Sequence, residues 1–186
     1  MSKNTRFPVK TIAFCGIFIA LGVIIARLFS LAPNEFTRFS LESVPIFLSG
    51  LLFGPLAGIL TGFATDFIGC LFSPYGFNPL FCLPPMLYGL CGGLSRPWLV
   101  KKISLWRLAV AFLPAVALGS VLWQSFMLDY VYGSGFYALL SARSLQFAIV
   151  FVLDVTVIRL LFAGKVFRQA GLWPPQSKKR SSDYDR

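Results

Sequence analysis

The chain has 186 residues, one domain's worth, of which 56% are hydrophobic, 16% aromatic and only 13% charged. Soluble proteins carry about 25% charged residues, so this composition excludes a water-soluble globular domain and defines an integral membrane protein. The chain has a net charge of +10 and no histidine; the missing histidine removes histidine metal sites, histidine proton relays and Ser-His catalysis.

The positive charge is not a nucleic-acid footprint, because it is not interleaved with aromatics along one face. Lys3, Arg6 and Lys10 precede the first apolar segment, and Arg96, Lys101, Lys102 and Arg107 lie between two later ones. Lys165, Arg168, Lys178, Lys179, Arg180 and Arg186 close the chain. This is the positive-inside pattern, and it assigns all three regions to the cytoplasm. Cys15, Cys70, Cys82 and Cys91 all fall in apolar segments without C-x-x-C spacing and read as small buried hydrophobes.

In chain order, residues 11–31 supply about twenty apolar positions, enough for a spanning helix. No small-residue cleavage site follows them, so this helix is read as retained rather than as a signal peptide. One face carries Ala13, Gly16 and Ala20. Such a stripe lets another helix approach closely, either within the same bundle or from a partner. Arg27 is placed to snorkel toward the surface.

Residues 32–39 read as a polar outer loop. Residues 41–53 cover only about 20 Å, short for a span. They form either a second span or half of a re-entrant hairpin with 55–72. Pro55 suits a first helical position after a Gly54 turn, which favours two spans. In 55–72, Gly58, Gly62 and Gly69 surround Asp66 at helical spacing and allow close approach of a neighbouring backbone or a ligand ring.

Residues 73–79 are a turn-rich outer loop, and 80–99 form a span bent by Pro84 and Pro85. Residues 105–131 form a fifth span, with Pro114 inside and Gln124 and Asp129 near its outer end. Residues 137–162 form the sixth, carrying Arg143, Gln146 and Asp154. The expected fold is an all-α integral membrane bundle of six transmembrane helices with both termini in the cytoplasm. Residues 1–10 are a cytoplasmic segment, 11–168 the membrane domain, and 169–186 a disordered basic tail.

An acid at the centre of a bilayer helix costs about 2.5–3.5 kcal/mol on insertion scales, so Asp66 must face protein or water. It either accepts from an amino-heterocycle, whose adjacent N–H groups match two carboxylate oxygens, or from a neighbouring helix. Arg38 and Arg143 suit ligand carboxylates through their bidentate forks, and Gln124 suits a ring edge. Trp123 and Tyr75 are candidates to stack on a ring or close a lid, with Phe77, Tyr132 and Phe136 behind them. Arg143 also has a plainer role open to it, pairing with Asp129 or another acid to satisfy charges inside the bundle. Asp154, with Arg159 one turn on, reads as structural.

The sequence holds no phosphate-binding G-x-x-x-x-G-K-[ST] loop, no metal-ligand cluster and no nucleophile–base pair. No catalytic residue, metal or cofactor is expected, and with six short spans and no inverted repeat the chain is thin for a self-sufficient transporter. The rival from another class is a small intramembrane enzyme using Asp66 and Asp154 as an acid–base pair.

Several blocks carry a family resemblance: Arg38-Phe39 with Pro45-Ile46, Leu52-Phe53-Gly54-Pro55 with Gly58, Gly62 with Asp66, and Pro74 with Gly76. A further block runs from Tyr132-Gly133 through Leu139-Leu140 to Ala142-Arg143 and Gln146. Over roughly residues 10 to 165 the chain resembles the substrate-binding S components of energy-coupling-factor vitamin transporters, most of all the folate-type branch.

The resemblance implies a multi-pass subunit of a bacterial plasma membrane that captures a folate-like vitamin at the outer face. Its partners would be a transmembrane coupling subunit and two cytoplasmic ATPases, besides membrane lipids, with no nucleic acid involved. Ala13, Gly16 and Ala20 loosely match the family's docking motif on helix 1. Two departures leave other ligands open, among them riboflavin, thiamine or a queuosine precursor. Gln124-Ser125 stand where folate-type members usually have Asn-Thr, and Pro79-Leu80-Phe81-Cys82 where they tend to read P-G-F-T.

Overall fold

The computed structural model describes residues 9–28, 31–34, 37–72, 78–101, 103–133, 135–164, 167 and 172. Its elements are α1 (Val9–Leu28), β1 (Leu31–Asn34), β2 (Thr37–Phe39), α2 (Ser43–Phe53) and α3 (Pro55–Leu71). A 3₁₀ turn (Pro79–Phe81) leads into α4 (Leu83–Leu99), then α5 (Leu105–Pro114), a π-helical segment (Ala115–Trp123), α6 (Gln124–Tyr132) and α7 (Phe136–Ala163). Because α5, the π segment and α6 form one continuous rod, the described chain makes six helical rods, as its apolar segments imply.

By length and composition, three stretches can cross a membrane: Val9–Arg27, Leu105–Val131 and Leu139–Ala163. With 17 residues each, α3 and α4 reach about 26 Å. The 11 residues of α2 reach only about 16 Å, roughly half a hydrocarbon core. So 41–53 is not a full span. It is a separate helix, as the Gly54-Pro55 break implies, turned into α3 by Gly54 at φ 106°. That backbone conformation favours glycine, and Pro55 follows as the first residue of α3.

The stretch read as a loop at 32–39 contains a short antiparallel pair instead. Leu31 lies opposite Phe39 and Asn34 opposite Thr37, with an irregularity between them, and β2 packs against α7. Among the described residues the regular structure is all-helical apart from this strand pair.

Phe47, Leu51, Leu99, Leu108, Phe112 and Ile158 are fully buried and bring α2, α4, α5 and α7 into one core. Phe112 stands at its centre, with ring centroids 5.0 Å from Phe47, 5.1 Å from Tyr88 and 6.1 Å from Phe151. Glycines join α2, α3 and α4. A Cβ placed on Gly58 would sit 2.3 Å from the Gly89 carbonyl oxygen, and one on Gly89 would sit 2.0 Å from that of Gly58. Backbone meets backbone here, so Gly58 serves helix packing rather than a bound ring. Leu172 also reaches the core.

The α1 helix lies against α2 and α3 through Thr11, Phe18, Gly22 and Ala26. Ala13, Gly16 and Ala20 face the other way and are exposed.

Candidate functional site

Two sets of polar side chains interrupt the apolar interior. The first gathers where the 3₁₀ turn meets α3 and α6. Half-buried Asp66 accepts from the Cys82 thiol, with Sγ 2.8 Å from Oδ2. Two residues earlier, the Leu80 carbonyl accepts the Trp123 indole N–H at 2.8 Å. The short segment 80–82 therefore holds Asp66 on one side and Trp123 on the other. Asn78 caps the turn, its Oδ1 accepting from the Leu80 amide at 3.1 Å.

Trp123 is the last residue of the π segment, and half-buried Gln124 begins α6. Pro114 has no N–H to return to the turn before it, and the nine residues that follow take the wider π winding. This winding sets which way Trp123 and Gln124 are aimed. Ser125 is fully buried beside them.

At the same end, the Arg27 guanidinium of α1 donates to the Gly69 carbonyl of α3, one turn beyond Asp66. A cation over the last carbonyls of α3 favours the negative end of its dipole. Arg27 is thus tied to the bundle and does not simply snorkel.

On α7, Arg143 and Gln146 are buried at 4% exposure each, and the Arg143 guanidinium lies 5.2 Å from the Phe147 ring centroid. Asp129, one of the acids open to Arg143 in its plainer reading, closes the α6–α7 turn. Asp129 Oδ1 accepts from the Gly135 amide at 2.9 Å, and its carbonyl accepts from the Gly133 amide at 2.8 Å.

The second polar set lies deeper. Ser43, the first residue of α2, donates to Oδ2 of fully buried Asp154 on α7. The Tyr88 and Ser120 hydroxyls are 2.7 Å apart, linking α4 to the π segment. Asp154 is about 14 Å from the Ala163 end of α7 at 1.5 Å per residue, inside the apolar stretch Leu139–Ala163. A solvent-free carboxylate held by one serine is a structural tie, in line with its sequence reading.

Of the sequence candidates, Asp66 and Trp123 are brought onto one segment, Gln124 adjoins Trp123, and Arg143 is buried on α7 nearby in sequence to the α6–α7 turn. The side chain of Arg38, whose backbone lies in β2, falls outside the described residues, as do Tyr75 and Phe77 entirely and the Tyr132 side chain. Sequence reasoning missed Cys82, Tyr88 and Ser120 as polar partners. A tyrosine inside an apolar span needs a partner for its hydroxyl, which was the available signal for Tyr88. Nothing in the spacing marks Cys82.

Among the described residues, no group of three metal-binding side chains exists. The arrangement gathers polar acceptors and donors inside a helical membrane bundle, and its class is a small multi-helix membrane protein.

Residues 6–168 match the family model of the ECF-type riboflavin transporter, S component. The chain belongs to this family of energy-coupling-factor S components, as the sequence blocks imply. A folate transporter, FolT, of Clostridium novyi (strain NT) is 24% identical over 151 residues, covering 81% of this chain and 86% of that protein. An uncharacterised protein of Mycoplasma pneumoniae is 38% identical over 64 residues, which is 34% of this chain but only 13% of that protein.

Among solved structures, FolT bound with folic acid superposes with a TM-score of 0.73 at 26% identity, covering 83% of this chain and 93% of that one. The S component for biotin of an ECF-type transporter gives 0.62 at 16% identity, over 88% and 95%, and shares the fold. The family and these structural relatives are transporter components, not enzymes, which removes the Asp66–Asp154 acid–base reading.

Proposed function

We propose that this chain is the vitamin-capturing subunit of an ATP-driven importer in a bacterial plasma membrane, and that its vitamin is folate-like. The observation that carries this reading is the likeness to FolT bound with folic acid, which extends over nearly the whole membrane domain. The polar end of the bundle is the outer face, and both termini are cytoplasmic. Arg143, with Arg38, serves the ligand carboxylates. Asp66 and Gln124 take the ring edges, while Trp123 and Tyr75 stack or close over them. The indole N–H on the Leu80 carbonyl supports Trp123 as the tether of such a cover.

A transmembrane coupling subunit and two cytoplasmic ATPases supply the energy. The stripe of Ala13, Gly16 and Ala20 on α1 is where we place docking of the coupling subunit. Its exposure favours a partner over packing within the bundle.

The description of the matched family names riboflavin, and that vitamin is the second reading. Calorimetry on the detergent-purified protein decides between them. Submicromolar folic acid binding with none for riboflavin is expected. Arg143→Ala should weaken folic acid binding about 10- to 100-fold, the loss of a charge-assisted contact. Riboflavin binding alone would replace the folate assignment.

A further inference from the structure

We infer that Cys82 is a positioning residue of the vitamin site: its thiol fixes the Asp66 carboxylate in the orientation that reads the ligand's ring edge. This rests on the reading of Asp66 as a ligand-binding carboxylate. The observation is the Sγ–Oδ2 separation of 2.8 Å between a buried cysteine and a half-buried acid, 16 residues apart and on different elements.

A carboxylate on a helix inside a bundle rotates about its terminal torsion unless something holds it, because that torsion is broad. A hydrogen bond from a neighbouring element to one carboxylate oxygen restricts that rotation. A carboxylate has about four lone-pair sites, so accepting one S–H does not exhaust it, and ring N–H groups find a preset plane. Cys82 is held in turn. It follows the 3₁₀ turn, its amide donates to the Pro79 carbonyl at 3.2 Å, and its carbonyl accepts from the Met86 amide at 3.3 Å.

The same segment carries the Leu80 carbonyl that receives the Trp123 indole. The acid and the indole therefore share one rigid support, and a change at Cys82 reaches the ring end of a ligand. A residue that merely fills space at this position has no such directional effect, and its loss weakens every ligand alike.

The test compares wild type, Cys82→Ala and Cys82→Ser in detergent, with melting temperature as the control for folding. Two probes are used: folic acid, and p-aminobenzoylglutamate, which carries the tail without the ring. Cys82→Ala should weaken folic acid binding about tenfold, the worth of one hydrogen bond to a charged group, and leave the tail's affinity unchanged. Cys82→Ser keeps a hydroxyl donor and should restore most of the loss.

Unchanged folic acid binding in Cys82→Ala overturns the inference. So does equal weakening of both probes, or a failure of serine to rescue. If wild type binds riboflavin instead of folic acid, the folate assignment falls and the variants are read on riboflavin. A riboflavin loss in Cys82→Ala rescued by serine upholds the inference, and no loss refutes it. If wild type binds neither vitamin, the role of Asp66 falls and the inference with it.

Discussion

Asp66 and Asp154 are both carboxylates inside apolar helices, and their surroundings give them different work. Asp66 stays half-buried with a thiol partner, at the end of the bundle where polar side chains collect. Asp154 has no exposed surface, and its Oδ1 has no hydrogen-bond partner among the described residues. One serine hydroxyl holds it and ties the start of α2 to α7. Removing that donor leaves a buried acceptor wholly unsatisfied, at a cost of about 1–3 kcal/mol. Ser43→Ala should therefore lower the melting temperature of the purified protein measurably. Vitamin affinity at a temperature where the variant is folded should stay close to wild type. An unchanged melting curve would remove the tie from the description.

At the scale of elements, the rod from α5 to α6 is the decisive one, because its π segment sets the facing of Trp123 and Gln124. Each helical residue turns about 100°, so rewinding the segment to an α-helix swings α6 relative to α7. Pro114→Ala restores the missing N–H and removes the ring that obstructs regular winding. The variant should keep its melting temperature or gain slightly, and lose vitamin affinity by an order of magnitude or more. Wild-type affinity in this variant would show that the winding does not depend on Pro114.

These elements were unequally legible in the sequence. Gly54-Pro55 announces its turn through backbone chemistry alone, and six apolar segments give six rods. The short length of 41–53 was visible, but its depth was not, because depth depends on where Ser43 meets Asp154. The strand pair β1–β2 reads as loop in the sequence, since its few residues lack an alternating pattern and form against α7. The π winding also escaped notice. A proline in a span is compatible with a kink or a wide turn, and neighbours decide which.

Asp66, Gln124 and Arg143 stand out in the sequence as polar residues in apolar company, and Trp123 as an aromatic suited to stacking. That logic cannot find a partner such as Cys82, which looks apolar by composition and acts through one directed bond.

Across the described residues, α2, α3 and α4 meet through glycine backbones, while α5–α7 attach through larger side chains and polar ties that include Ser43–Asp154 and Tyr88–Ser120. On the free side of α1, Ala13, Gly16 and Ala20 form an open stripe, and a Cβ built on Gly16 meets nothing within 4 Å. A bulkier side chain there costs the isolated subunit nothing sterically, and it replaces a residue that disfavours a helix by about 1 kcal/mol relative to alanine. Any functional loss on enlarging Gly16 thus reports on something outside the subunit.

Gly16→Leu should bind the vitamin with wild-type affinity and melt no lower than wild type. When coexpressed with the coupling subunit and ATPases of the proposed importer, it should lose at least tenfold of ATP-dependent vitamin uptake, because close helix approach needs a small residue at the contact. Copurification of the complex should fall in parallel. Full uptake by Gly16→Leu would move docking off this face of α1, and the proposed roles of Asp66, Trp123 and Arg143 would stand apart from that result.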